Sequence, residues 1–153
     1  MGHTYSHLLY HVVFSTKDRR RCIEASFRDR LYEYMGGIAR DVFGRAISVG
    51  GTEDHVHVLL SIRPSVSVAE AVKKLKSLSS GWVNKTLPPK KPSPRFYWQS
   101  GYGAFSVSES AAPQVARYIA RQAEHHRRVS FEEEFVAFLE RHGVEFDPGA
   151  VWG

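Results

Sequence analysis

A single cysteine, Cys22, stands in a chain of 153 residues. No internal disulfide is possible, so a stapled secreted scaffold is excluded and a reducing, cytoplasmic setting is expected. Also missing is any apolar run approaching the roughly 20 residues that cross a bilayer. The opening Met1-Gly2-His3-Thr4-Tyr5 lacks the basic start and apolar stretch of a secretion signal, and no membrane partner is expected. No internal repeat and no linker composition interrupts the chain, which predicts one domain over 1–153. Hydrophobic residues at 42% and charged residues at 24% suffice for a core and argue against disorder. Acid is scarce relative to base: Lys and Arg number 21 against 16 Asp and Glu, for a net charge of +5. That balance favours an anionic partner such as nucleic acid. Basic residues gather at 17–21, 73–76, 85–95 and 117–128, whereas Glu132, Glu133 and Glu134 stand apart from them.

The run Leu8-Leu9-Tyr10-His11-Val12-Val13-Phe14-Ser15 is rich in aromatic and β-branched residues and predicts a mostly buried strand, ending at a polar turn over 16–21. Phe27, Leu31, Met35, Ile38 and Val42 recur at helical spacing, which predicts an amphipathic helix over 25–43. Gly36 and Gly37 each cost that helix roughly 1 kcal/mol, and close packing is the expected reason for them. A short strand over 46–49, a turn at Gly50-Gly51 and a clear strand over 55–62 follow. Ser67 and Glu70 form a capping box for a helix with Val68, Val72, Leu75, Ser79 and Trp82 as its inner stripe. This helix is expected to fade near Thr86, before the proline-rich stretch 87–94. Strand pieces over 97–99 and 104–108 flank Gly101-Tyr102-Gly103. Ser110 is expected to cap a helix with Pro113 in its first turn, reaching to about Arg127. A second capping box, Ser130 with Glu133, opens a last helix that buries Phe131, Phe135, Phe138 and Leu139 and stops near Gly143. The order predicts an α+β fold: a ferredoxin-like antiparallel sheet with helices on one face, followed by a tyrosine-bearing helix and a final helix.

Two segments carry chemistry. In Asp54-His55-Val56-His57-Val58-Leu59-Leu60-Ser61-Ile62, strand alternation gives Val56, Val58, Leu60 and Ile62 one continuous apolar face. His55 and His57 share the other face, spared from that packing and well placed for a divalent ion. The spacing equally fits two solvent-facing histidines, and a catalytic ion needs a further protein ligand and open positions. In Arg117-Tyr118-Ile119-Ala120-Arg121-Gln122-Ala123-Glu124-His125-His126, Tyr118 and Gln122 lie one helical turn apart on the same face, with Val115 and Ile119 as a docking pair. A tyrosine hydroxyl can attack phosphorus and store the broken phosphodiester bond as a phosphotyrosine. As a neutral phenol of pKa about 10 it needs a polarised phosphate or a proton acceptor. The same spacing also fits a ring that packs and leaves its hydroxyl wet. His125 and His126, adjacent on a helix, are expected to diverge to the surface or to phosphate.

Taken together, Asp54-His55-Val56-His57-Val58-Leu59, Trp98-Gln99-Ser100-Gly101-Tyr102-Gly103-Ala104-Phe105-Ser106-Val107-Ser108 and the stretch from Tyr118 to His126 resemble the single-tyrosine HUH transposases of small bacterial insertion sequences. The REP-associated tyrosine transposases are close relatives of these. The resemblance covers nearly the whole chain, including Tyr10-His11-Val12-Val13-Phe14-Ser15-Thr16-Lys17. It implies a ferredoxin-like enzyme that cuts and rejoins single-stranded DNA at hairpin-marked ends. It implies Tyr118 as the nucleophile and His55, His57 and Gln122 as ligands of a magnesium or manganese ion. It further implies a homodimer in which one subunit's tyrosine helix completes the other's site.

For DNA contact, Lys73, Lys74 and Lys76 offer a backbone-binding helix face, with Arg117 and Arg121 beside the tyrosine and Arg19, Arg20, Arg21, Lys90, Lys91 and Arg95 as extensions. Each is also compatible with a solvated face. Tyr97 and Tyr102 are candidates to stack on unpaired bases, whereas Trp82 is expected in the core. The alternatives to a strand transferase are a non-catalytic, domesticated hairpin-binding regulator on the same fold and a metal-dependent phosphodiesterase that uses water.

Overall fold

The computed structural model describes residues 2–87 and 95–152. Four strands form one antiparallel sheet in the order β2-β3-β1-β4, with β1 at Leu9–Ser15, β2 at Gly44–Gly51, β3 at His55–Ile62 and β4 at Gly103–Val107. Two helices, α1 at Ala25–Val42 and α2 at Val68–Thr86, cross one face. This is the ferredoxin-like strand order, in which β3 inserts between β1 and β2. Beyond β4 come α3 at Ala112–Ala120, the short α4 at Gln122–His125 and α5 at Phe131–Arg141.

The period of two in β1 and β3 decides what each face carries. Val12, Phe14, Val56, Val58, Leu60 and Ile62 pack with Phe27, Leu31 and Met35 of α1 and Val72 and Leu75 of α2. On the opposite face Leu9 and Leu59 take Ile119 of α3, while Val13 and Phe105 take Phe131, Phe135 and Phe138 of α5. The sheet is therefore covered on both faces. His55 and His57, both at zero exposure, lie under the second layer rather than in solvent.

Several local expectations give way to tertiary demands. Gly50 and Gly51 do not turn the chain; they are the last residues of β2, paired with His57 and Val56. A side chain at Gly50 would place Cβ 2.1 Å from the Ile119 carbonyl oxygen, so glycine lets α3 lie directly on the sheet. Gly36 and Gly37 serve no such approach: nothing lies within 4 Å of a Cβ at Gly36, and only the Arg40 guanidinium, 3.8 Å away, nears one at Gly37. In α2 the buried stripe runs Ala71, Val72, Leu75, Ser79 and Val83. Trp82 instead stacks on Tyr34 at 5.0 Å, at the rim of that core. Residues 97–99 form no strand, only a bridge between Thr16 and Trp98. They are held by side chains: Trp98 donates to Ser79 Oγ at 2.9 Å, and Gln99 Oε1 accepts from the Ser15 amide at 2.7 Å.

Ser67 and Ser130 cap α2 and α5, their hydroxyls accepting from the Glu70 and Glu133 amides at 3.1 Å. Ser110 caps nothing; it lies in the 3-10 turn Glu109–Ala111 ahead of α3. The tyrosine helix also fails to run through to Arg127. It breaks at Arg121, whose φ of −103° and ψ of 20° leave the helical region, and the chain turns into α4. Gly143, at φ +65°, follows the end of α5.

Candidate active site

His55 and His57 project from the centre of the covered face. Their Nε2 atoms converge with polar atoms of three other side chains, Gln122, His126 and Glu134. His57 Nε2 is 2.8 Å from Glu134 Oε1, His55 Nε2 is 3.1 Å from Gln122 Oε1, and His126 Nε2 is 2.9 Å from Gln122 Oε1 and 3.2 Å from Glu134 Oε1. The ligand atoms of His55, His57, His126 and Glu134 all lie within 4.8 Å of one another. Each imidazole is braced from behind. His55 Nδ1 meets Asp54 Oδ1 at 2.8 Å and Thr52 Oγ1 at 3.0 Å, His57 Nδ1 meets His11 Nε2 at 2.8 Å, and His126 Nδ1 meets the Val129 carbonyl at 2.6 Å. Backing of this kind orients imidazole ligands in metal centres.

The electrostatics follow from burial. Burial pulls His57 down to about 4 and His11 to about 3, so both are neutral rings at neutral pH, the form in which imidazole binds metal. At His126 burial also lowers the pKa, but Glu134 and the Val129 carbonyl outweigh it and raise the group above its ordinary value. At Glu134 burial raises the carboxyl, yet hydrogen bonds from His126, His57 and Tyr118 hold it well below the usual carboxylate range.

Tyr118 completes the cluster from α3. Its hydroxyl donates to Glu134 Oε2 and lies 3.2 Å from His125 Nε2. Burial, then the neighbouring Glu134 carboxylate, pushes its pKa above the ordinary phenol value. Gln122, one turn on and past the helix break, is buried, and its amide nitrogen donates to Glu134 Oε2 at 3.2 Å. Tyr118, Gln122, His55 and His57 thus meet within one chain. The two histidines expected to diverge to the surface or to phosphate are drawn together instead: His126 joins the cluster, and His125 faces the phenol. Glu134 was not anticipated at all.

The basic residues divide into groups. Arg117, Arg121, Arg127 and Arg128 line a cleft of about 600 Å³ that opens on Tyr118. Lys73 is exposed beside Tyr97 and Tyr102 in a second cleft of about 350 Å³, and Lys74 is exposed on the same helix. Lys76 is spent differently, its ammonium donating to the carbonyls of Gln99, Ser100 and Gly101 at 2.9, 3.2 and 2.6 Å. Arg19 pairs with Glu132 at 2.8 Å and lies over the Trp152 ring, and Arg20 is 3.8 Å from Asp18. Lys90 and Lys91 lie outside the described residues. Among the described residues no helix is long and apolar enough to cross a membrane.

Strand order, helix cover and the buried histidine pair define a ferredoxin-like α+β protein with a candidate metal centre on its second face. Comparison with known proteins makes this specific: residues 4–122 match the IS200-like transposase family, and the chain belongs to that family. The ISDra2 transposase TnpA of Deinococcus radiodurans is 29% identical over 123 residues, covering 79% of this chain and 87% of that protein. The transposase for insertion sequence element IS200 of Salmonella typhimurium is 28% identical over 126 residues, covering 81% and 82%. A crystal structure of a candidate transposase from Deinococcus radiodurans R1 superposes with a TM-score of 0.64 at 26% identity, over 78% of this chain and 94% of that one. A REP-associated tyrosine transposase bound to a REP hairpin shares the fold, with a TM-score of 0.58 at 12% identity over 96% and 93%. The family match ends at Gln122, so His125, His126 and Glu134 lie beyond it.

Proposed function

We propose that this transposase cuts and rejoins single-stranded DNA through a covalent link to Tyr118, with a divalent ion held by His55, His57 and Gln122. The observation that carries the reading is one carboxylate: Glu134 bonds the Tyr118 hydroxyl through one oxygen and sits among the ligand atoms through the other. Nucleophile and ligand cluster are therefore within reach of a single phosphate. The residues fit a cation, because buried imidazole nitrogens and an amide oxygen converge there with their rear atoms already tied. When bound, a magnesium or manganese ion supplies Lewis-acid polarisation of the scissile phosphate.

The chain's own residues account for the rest. The Tyr118 oxygen forms a bond to phosphorus, and the bond from phosphorus to the 3′ oxygen breaks, leaving a 5′-phosphotyrosine and a free 3′ hydroxyl. His125 Nε2 is the acceptor beside the phenol that stands outside the ligand cluster; it takes the phenol proton, and that proton is handed on to the departing 3′ oxygen. Attack by a second strand's 3′ hydroxyl reverses the bond exchange and frees Tyr118 without ATP. Arg117 and Arg121 hold the strand's phosphates in the adjoining cleft. The preferred substrate is a strand with a hairpin, as in the REP-associated neighbour. The working form is a homodimer, although the tyrosine and ligands already meet within one subunit.

The test is a denaturing gel of labelled hairpin-bearing single-stranded DNA incubated with the protein and magnesium or manganese. A covalent protein–DNA band that disappears in Tyr118→Phe is expected. Cleavage that persists in Tyr118→Phe overturns the assignment in favour of water as nucleophile. Binding without any cleavage overturns it in favour of a DNA-binding regulator.

A further inference from the structure

We propose that this chain also holds a late first-row transition ion by itself, before DNA arrives, in a closed site whose four ligands are His55, His57, His126 and Glu134. The inference rests on the cluster being a cation site, and it does not depend on Tyr118 being the nucleophile. Two of the four ligands, His126 and Glu134, come from beyond the family match and are absent from the set of His55, His57 and Gln122.

The arrangement of the donor atoms suits a cation there. His126 Nδ1 donates to the Val129 carbonyl, which in a neutral ring leaves a lone pair on Nε2. That lone pair faces only oxygens, Gln122 Oε1 at 2.9 Å and Glu134 Oε1 at 3.2 Å. His55 repeats the pattern: Nδ1 faces the Asp54 carboxylate, and Nε2 faces Gln122 Oε1 at 3.1 Å and Glu134 Oε1 at 3.7 Å. With the Nδ1 atoms tied from behind, the three Nε2 atoms and Glu134 Oε1 converge on one place, and an ion that displaces the protons shared there meets four ligand atoms already gathered. Zinc–nitrogen bonds of about 2.1 Å put tetrahedral ligands roughly 3.4 Å apart, close to the 2.8, 3.2 and 3.7 Å that separate Glu134 Oε1 from the three Nε2 atoms.

Ligand chemistry selects the ion. Three imidazoles and one carboxylate suit zinc or cobalt(II), whereas magnesium takes oxygen ligands and keeps its waters. A closed set of four protein ligands leaves no free position, with Gln122 Oε1 at its rim as a fifth donor. Because Glu134 belongs to α5 and His126 to the turn after α4, a bound ion ties both to the central strand.

Cobalt(II) reports the geometry directly. The chelator-stripped protein, without DNA, is titrated with cobalt and the visible absorption recorded. One ion per chain is expected, with the intense bands of four- or five-coordinate cobalt, displaced by zinc but not by millimolar magnesium. His126→Ala and the near-isosteric Glu134→Gln are each expected to weaken binding by about 100-fold or more, with circular dichroism confirming the fold. Gly36→Ala, in the helix on the far face of the sheet, binds cobalt as the wild type does. Weak six-coordinate bands, displacement by magnesium, or unchanged affinity in both ligand variants overturns the proposal. Cobalt binding without any covalent DNA adduct refutes the proposed function alone, and an adduct formed with magnesium by a protein lacking the cobalt site refutes this inference alone.

Discussion

Gly50→Ala isolates the contact that sets the tyrosine helix on the sheet. The new Cβ would lie 2.1 Å from the Ile119 carbonyl oxygen and 2.9 Å from its carbon, both backbone atoms that no rotamer can move aside. Ordinary contact begins near 3.4 Å, so one side must withdraw by roughly 1 Å. Gly50 is fixed by its pairing with His57, and β2 is backed by α1, so α3 is the side that gives. Ile119 sits directly after Tyr118, and the shift carries Tyr118 and Gln122 away from His55 and His57. Overpacking of this size costs about 1–3 kcal/mol, or about 2–12 °C in melting temperature for a chain of this length. A misplacement of about 1 Å costs a reaction on the order of 100-fold. The expected result is a folded protein that forms the covalent DNA adduct about 100-fold more slowly in single turnover, measured well below its melting temperature. Gly36→Ala is the control, since its Cβ meets nothing within 4 Å; it should leave the adduct rate unchanged and add about 0.5–1 kcal/mol of stability. A Gly50→Ala protein that reacts at the wild-type rate would show that α3 is not positioned by this contact.

Lys76 predicts a pH dependence of stability. Burial lowers its pKa from 10.5 to about 8, so between those values the unfolded chain holds one proton more than the folded one. Stability contributed by this group therefore rises as pH climbs from about 8 towards 10.5 and is at its lower level below that window. Because the side chain is half-exposed the gain is discounted to about 1 kcal/mol; urea titrations at several pH values should show it in the wild type and not in Lys76→Met. Arg117 and Arg121 predict a salt dependence: removing both should flatten the plot of log affinity for single-stranded DNA against log salt by about 1.4, near 0.7 for each phosphate contact. An unchanged slope would place the strand elsewhere than the cleft beside Tyr118.

What sequence could show of the fold was whatever its period dictates. The alternation at 55–62 assigns each side chain of β3 to a face, and the apolar spacing in α1 and α5 does the same for those helices. Neither period says what covers the face that holds His55 and His57, because that depends on where the chain goes after Ser108. Gly50 and Gly51 look like a turn by residue type, yet they are needed for an approach by Ile119, far along the chain, and by the backbone of His55. The break at Arg121 carries no glycine or proline to mark it, and past it Gln122 and His126 both reach the histidine pair.

Glu134 was legible in a way that residue type concealed. Phe131, Phe135, Phe138 and Leu139 make the buried stripe of α5, and Glu134 falls between them at the i+3 position, on the apolar face rather than the solvated one. A carboxylate on such a stripe is expensive to bury unless every lone pair finds a donor or a cation. That cost makes the acid a marker: α5 can settle only where such partners already stand. On this sheet that place lies over His57 and His126, against Tyr118 and Gln122. The packing of the last helix and the assembly of the cluster are therefore one event. Replacing Glu134 by an apolar residue would satisfy the stripe and remove the requirement that ties α5 to the tyrosine.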